Sequence, residues 1–260
     1  MKLKNYLIRL NWFFSTQLGL NIRLLVTSFT RCPAFLYDYF SFILKFKGKE
    51  KIFLQPCLHD KYDRAGDIDH EYFWQDLLVA QRVMEMDSDV NHCDVGSRID
   101  GFVAHVASMR KIIVSDIRPT SVEIPNVHFI RNDLLHSTVE EEFELVTCLH
   151  TIEHIGLGRY GDSITLNGWK IGLASLAKMV KTNGVLIVTC PIGKSAVRFN
   201  ANYIISPIDI IKCAESCSLR IRKIKFLKNH KFIDVQQGTP IFEDLCNSEY
   251  NLGYFEFTKL

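Results

Sequence analysis

The sequence predicts an α/β fold: a mostly parallel sheet of seven strands with an antiparallel last strand, behind an N-terminal helical appendage. Three observations predict it. From about residue 88 onward, apolar runs of strand length alternate with segments of helical period, the pattern of βαβ units. FELVTCL (143–149) is nearly all apolar, as a central strand covered on both faces is. No helix stands clearly between the last two strands, so they are expected to pair antiparallel.

Residues 1–60 are helical in pattern but broken by Gly19, Pro33, Gly48 and Pro56, which reads as two or three short helices. Lys2 and Lys4 precede an apolar stretch that Arg9, Asn11, Gln17 and Arg23 interrupt. No small-residue cleavage site follows, so no standard secretory signal is expected, and no run approaches a membrane span. AFLYDYFSFILKFK (34–47) is aromatic, with lysines at its far end. Such a stretch lies on a membrane surface or packs as a helix on the main domain or on a partner subunit of a homo-oligomer. Its few polar residues, Asp38 and Ser41, favour packing.

A helix is expected over 70–86, with Asp69 as N-cap and Glu71 adding first-turn negative charge. HCDV (92–95) is the first strand and FVAHVASM (102–109) the next helix. KIIVSD (111–116), VHFIR (127–131) and FELVTCL are strands two to four. GWKIGLASLAKMVK (168–181) is an amphipathic helix, and GVLIVTCP (184–191) a strand after an Asn-Gly turn. SPIDIIKCAESC (206–217) is a helix with Ser206 as cap and Pro207 at its first position. LRIRKIKFL (219–227) and LGYFEFTKL (252–260) alternate as strands do. Residues 228–250 read as one long connection, more often functional than idle in a compact domain.

The net charge of +2 gives no sign of a nucleic-acid binder. Eight cysteines are scattered without a C-x-x-C pair, and Cys93, Cys148 and Cys190 sit in apolar runs, so reduced core thiols in a cytoplasmic protein are expected. His150, Glu153 and His154 form H-x-x-E-H, a zinc-peptidase spacing when carried on a helix. Here a strand precedes it and Gly156, Gly158 and Gly161 follow, each costing roughly 1 kcal/mol in a helix interior, so a strand-to-loop junction is expected and no metal ligand set.

In an open α/β sheet ligands bind at the carboxyl ends of the strands. After the first strand stand Asp94, Gly96, Ser97, Arg98, Asp100 and Gly101. After the second come Asp116, Ile117 and Arg118, and after the third Asn132, Asp133 and Leu134. After the fourth come Leu149, His150, Glu153 and His154. With DVGSRIDG after strand one, Asp116 ending strand two, RNDLL after strand three, LHTIEH after strand four and KTNGVLIVTCP entering strand five, the chain resembles the Rossmann-like class I S-adenosylmethionine-dependent methyltransferases over about 88–260. DVGSRIDGFVAH, SDIRP, LHTIEHIGLGRYGD, PIG and FNAN more closely resemble the uncharacterised domain-of-unknown-function family numbered 268. That match extends the domain back to about residue 52. The expected division is therefore 1–51, a helical appendage, and 52–260, the methyltransferase-like domain.

The resemblance implies S-adenosylmethionine as cofactor. Asp94, Gly96, Ser97 and Arg98 would surround its methionine moiety, Asp116 and Ile117 its ribose, and Asp133 and Leu134 its adenine, with Leu149 and His150 against the adenosine. The family turn reads D-x-G-x-G-x-G, and here Arg98 and Asp100 stand where later glycines belong. Arg98 either grips the cofactor's carboxylate in a bidentate fork or pairs with Asp100 or Asp116 at the surface. Glu153 and His154 would face the substrate, with His154 as general base or as a structural histidine bonded to Glu153 or a carbonyl. Arg159 and Tyr160 would grip an anionic substrate group, or Arg159 would pair with Asp162. Tyr72, Phe73 and Trp74 form either a lid or core. The expected function is methyl transfer to a hydroxyl of a small molecule or a glycan, the resemblance pointing to polysaccharide biosynthesis. The alternative is a non-catalytic binding or scaffold protein on the same fold. A nicotinamide enzyme expects G-x-G-x-x-G, which GSRIDG does not supply.

Overall fold

The structure, a computed structural model, describes residues 2–64, 66, 68 and 70–260; the expected cap Asp69 lies outside them. The chain falls into two compact units, Met1–Asp69 and His70–Leu260. The larger unit thus begins at His70, and residues 52–69 group with the first.

In the first unit, α1 (Lys2–Gln17) and α2 (Ile22–Lys45) meet at Asn21, whose side chain accepts from Leu24 N and caps α2. Pro33 lies inside α2 without ending it. Ser28 and Arg31 of α2 bond His59, and Asp38 pairs with Lys61, which ties the stretch after the helix to its polar side.

The larger unit runs α3 (Glu71–Met84), β1 (His92–Val95), α4 (Ala104–Ala107), β2 (Ile112–Asp116), β3 (Val127–Arg131), β4 (Phe143–Leu149), α5 (Gly168–Met179), β5 (Val180–Ile192), β6 (Ala196–Arg198), β7 (Asn202–Ile204), α6 (Pro207–Ser216), β8 (Leu219–Lys228), β9 (Lys231–Val235), α7 (Pro240–Asn247) and β10 (Asn251–Lys259). Eight strands form one sheet in the order β3-β2-β1-β4-β5-β10-β8-β9, and β6 and β7 pair separately. The five strands β3, β2, β1, β4 and β5 are parallel to one another, and β10 is antiparallel to both β5 and β8.

Alternation along the strands builds two cores. Val146 and Cys148 of β4 and Leu186, Val188 and Cys190 of β5 face one core with Leu173, Leu176, Ile211 and Phe242. Leu145, Leu149 and Ile187 face the other, with Val79, Val83, Phe102 and Val106. Successive side chains point to opposite faces of a strand, so the near-continuous apolar runs of β4 and β5 serve both layers. Cys93, Cys148 and Cys190 are buried and free, as expected of core thiols. Glu256 of β10, 1% exposed, accepts from Arg82 Nε at 3.0 Å and Nη2 at 2.9 Å and from the Tyr254 hydroxyl at 2.7 Å, which ties α3 to the sheet.

Three expectations are corrected. The sheet has eight strands rather than seven, because residues 228–250 are not one loop. Asn229 and His230 both have positive φ, 48° and 64°, a two-residue turn that folds β9 back on β8. Thr239 caps α7 by accepting from Phe242 N, with Pro240 at the first helical position. A helix therefore does stand between β8 and β10, although they pair antiparallel as expected. Finally, Ser206 precedes α6 but its side chain makes no capping bond.

Candidate functional site

A cavity of about 310 Å³ opens at the carboxyl ends of β1, β2, β3 and β4. It lies where the strand order reverses between β1 and β4, since the connections from these two strands run to opposite sides of the sheet. Nine of the ten expected cofactor contacts line it: Gly96, Ser97, Arg98, Asp116, Ile117, Asp133, Leu134, Leu149 and His150.

Asp94 lies behind the wall and does not line the cavity. It is fully buried, accepting from Ser97 N at 3.1 Å, Ser97 Oγ at 2.7 Å and Thr147 Oγ1 at 2.7 Å. Burial pushes its carboxyl up to about 7, with these bonds opposing the shift. Asp94 latches the turn to β4. Gly96 has φ +73°, and a Cβ there would stand 2.4 Å from Thr151 Cγ2, so only glycine fits.

Arg98 pairs outward with Asp100, Nη2 to Oδ2 at 2.8 Å and Nε to Oδ1 at 3.1 Å, with both side chains mostly exposed. The displaced Gly101 makes room for α3: a Cβ there would lie 2.2 Å from Asp76 Oδ2. At the end of β2, both oxygens of Asp116 are engaged by Arg118. Asp133 accepts from Leu135 N at 2.9 Å and meets His136 Nδ1 at 2.9 Å.

The H-x-x-E-H residues do not share a helix. His150 ends β4 in the left-handed region, φ 50°, and Glu153 and His154 sit on a single 3₁₀ turn, Ile152–His154. The helix a zinc peptidase needs is not formed. Glu153, expected to face the substrate, is fully buried and does not line the cavity. Its Oε1 lies 2.6 Å from His150 Nδ1 and 3.7 Å from His154 Nε2. Burial lowers the pKa of His150, but the carboxylates of Glu153 and Glu71 more than offset this and raise it to about 9. His150 is therefore an imidazolium at neutral pH. Glu71 Oε1 lies 3.5 Å from His150 Nε2, and Glu71 accepts from the Tyr250 hydroxyl.

His154 lines the cavity, and its Nδ1 lies 2.6 Å from the Ala201 carbonyl. Only a donor fits there, so Nδ1 carries the proton and Nε2 keeps its lone pair. Burial holds its pKa below the ordinary histidine value. Arg159 also donates to Ala201 O, at 2.9 Å, and lies over the Tyr160 ring at 5.1 Å; Arg118 lies over the same ring at 4.9 Å. Asp162 accepts instead from Gly156 N, at 2.7 Å. Tyr72 lines the cavity and packs on His150 at 4.6 Å, whereas Trp74 stacks on His230 at 4.5 Å and Phe73 lies outside the lining.

Other lining residues were not assigned from sequence. Gln75 and Asp76 of α3 are buried polar side chains on an apolar helix face, a signal that WQDLL carried. The Gln75 side-chain oxygen accepts from Thr189 Oγ1 at 2.6 Å. Ser115 Oγ and Asn132 Nδ2, on lining residues, are buried without a partner. Such orphaned groups call for a polar ligand or water, so the wall suits the ribose and adenine of S-adenosylmethionine.

Residues 102–213 match the family described as Caenorhabditis protein of unknown function, DUF268. No curated protein matches the sequence. Among solved structures, the 4+2 cyclase SpnF is similar at 13% identity and TM-score 0.51, over 71% of this chain and 79% of that one. A putative sarcosine dimethylglycine methyltransferase from Galdieria sulphuraria is similar at 11% identity and TM-score 0.51, over 71% and 85%. The 1,6-didemethyltoxoflavin-N1-methyltransferase of Burkholderia thailandensis, with bound S-adenosylhomocysteine, is similar at 9% identity and TM-score 0.51, over 74% and 79%. The chain has the Rossmann-like fold of class I S-adenosylmethionine-dependent methyltransferases, and residues 102–213 match DUF268.

Proposed function

We propose that this chain transfers a methyl group from S-adenosylmethionine to a hydroxyl of a small molecule or glycan in the cytoplasm. The observation that carries the reading is that Gly96, Asp116, Asp133 and an oriented, neutral His154 surround one cavity. Asp116 would hold the ribose, Asp133 and Asn132 the adenine edge, and the Gly96 turn the methionine moiety. The cofactor, when bound, supplies an electrophilic methyl on a sulfonium. The chain's own work is positioning and proton removal. His154 Nε2 accepts the hydroxyl proton, its ring held by the Ala201 carbonyl. Glu153 and His150 act behind it as positioning residues. Arg159 donates to the Ala201 carbonyl and lies over the Tyr160 ring, and its charge suits an anionic group on the acceptor, as on an acidic sugar. Eight free cysteines support a reducing compartment.

A second reading, a binding protein without catalysis, is favoured by one observation: Arg118 already fills Asp116. A cyclase among the structural neighbours likewise warns that this fold does not fix an activity. Calorimetric titration with S-adenosylmethionine and S-adenosylhomocysteine, with NAD as control, separates the two. Micromolar binding lost in Asp116→Ala is expected. Absence of binding would overturn the methyltransferase reading.

A further inference from the structure

The N-terminal unit carries a surface that the cavity does not use. α2 runs for 24 residues and buries none of its side chains; at 1.5 Å per residue it is about 36 Å long. Leu25, Phe29, Leu36, Phe40, Ile43 and Leu44 fall on one face at helical spacing, and all are exposed, Phe29 at 73% and Leu44 at 85%. The polar side of the helix is already engaged. Ser28 and Arg31 hold His59, Arg31 lies over Tyr62 and Asp38 pairs with Lys61. The apolar stripe is the side left over. Trp12 and Phe13 of α1 are exposed as well.

Charge decides what covers it. Residues 1–51 hold nine lysines and arginines against two acidic residues, although the whole chain is only +2. Four of the nine, Lys45, Lys47, Lys49 and Lys51, cluster at the end of α2. Two such segments would repel each other, which disfavours pairing with a second copy through this face. A bilayer with anionic headgroups offers negative charge and an apolar layer together. No helix among the described residues is long and apolar enough to cross a membrane, so the helix lies on one. We infer that α2 lies in the interface of an anionic membrane, its Leu25–Leu44 stripe toward the acyl chains and its terminal lysines on the headgroups. This does not depend on the cavity binding a cofactor.

The test is flotation of the full chain with phosphatidylcholine vesicles, with and without about a third phosphatidylserine. Binding to the anionic vesicles alone is expected, weakening several-fold as salt rises toward about 0.5 M. A Phe29→Asp, Phe40→Asp double variant should lose it, with an unchanged circular dichroism spectrum because both rings are exposed. Lys47→Gln and Lys49→Gln, beyond the helix, should each weaken it about fivefold and serve as a second probe. Failure to float with any vesicle, or equal binding to neutral vesicles, overturns the inference. So does a dimer in sedimentation equilibrium that the double variant converts to monomer, since a second copy would then cover the stripe.

Discussion

Arg118 closes on Asp116 with one edge of its guanidinium. Nε lies 2.9 Å from Oδ1 and Nη2 2.6 Å from Oδ2, and the Arg118 backbone N–H adds a bond of 2.8 Å to Oδ1. The carboxylate that would take two ribose hydroxyls is thus held by a residue two positions on. The magnitude shows that this is no barrier. The Arg118 side chain is 52% exposed and that of Asp116 16%, so water screens the pair from the arginine side and it contributes on the order of 1 kcal/mol. Ligand hydroxyls can displace it. Arg118→Ala is therefore expected to tighten S-adenosylhomocysteine binding up to about fivefold by calorimetry. Weaker binding would make Arg118 a ligand contact instead of a competitor.

The buried histidines give stability a pH dependence with a definite sign. His150, raised to about 9, holds a proton that its unfolded form loses near 6.5, so its contribution is full below that value and fades as pH rises through 9. His92, lowered to about 3 by burial and by Arg110, acts oppositely and costs stability as pH falls below 6.5. Asp94, raised to about 7, loses its contribution as pH rises from 3.8 to 7 and so makes the acid limb shallower. Between about pH 7 and about pH 8 the decline reports His150; nearer pH 9 the buried thiols of Cys93, Cys148 and Cys190, raised by burial, add to it. Urea unfolding at about pH 7 and about pH 8 should show it, and Glu153→Gln should remove most of it, since of the two carboxylates that hold the imidazole charged Glu153 acts most strongly. A decline that survives undiminished in Glu153→Gln would assign it elsewhere.

Glu256 supplies a stability test far from the cavity. It is buried at its carboxylate and neutralised by Arg82 of α3. Replacing Arg82 with Met keeps the apolar stem but leaves a buried charge with one hydroxyl donor, Tyr254. A loss of about 3 kcal/mol in urea unfolding is expected, in line with breaking other buried pairs. A loss under about 1 kcal/mol would mean that solvent reaches Glu256.

The parts of the molecule legible in sequence are those set by local pattern. FELVTCL and GVLIVTCP announced central strands because residues facing two cores must be apolar on both sides. Strand ends then located nine cofactor-site candidates on one cavity, since parallel strands bring their carboxyl ends together. Contacts set by tertiary geometry were not legible. Nothing local distinguishes Asp94, turned into the core by Ser97 and Thr147, from Asp116, turned to the cavity. Glu153 lies behind His150 because the chain leaves β4 through a left-handed residue, which a helix-spaced motif does not foretell. β9 and α7 were missed for another reason. Their signals, the Asn-His turn and Thr-Pro cap, are short, and the apolar runs they bound are too short to show a period.

The altered glycine turn yields the last prediction. If close backbone approach matters at Gly96 and not at the Arg98 and Asp100 positions, substitutions there should separate. Gly96→Ala places a Cβ 2.4 Å from Thr151 Cγ2 at φ +73°, which should cost about 1–3 kcal/mol in urea unfolding and abolish S-adenosylhomocysteine binding. Arg98 lines the cavity, but its guanidinium is spent on the exposed Asp100. Arg98→Ala should therefore change stability by less than about 0.5 kcal/mol and leave affinity within about threefold. A tenfold loss would show that the guanidinium leaves Asp100 for the carboxylate of the ligand. That exchange is feasible, because a bidentate bond in a partly closed cavity outweighs an exposed surface pair. The two variants measured together thus decide whether the turn holds its ligand by backbone alone or by a side chain that replaced a glycine.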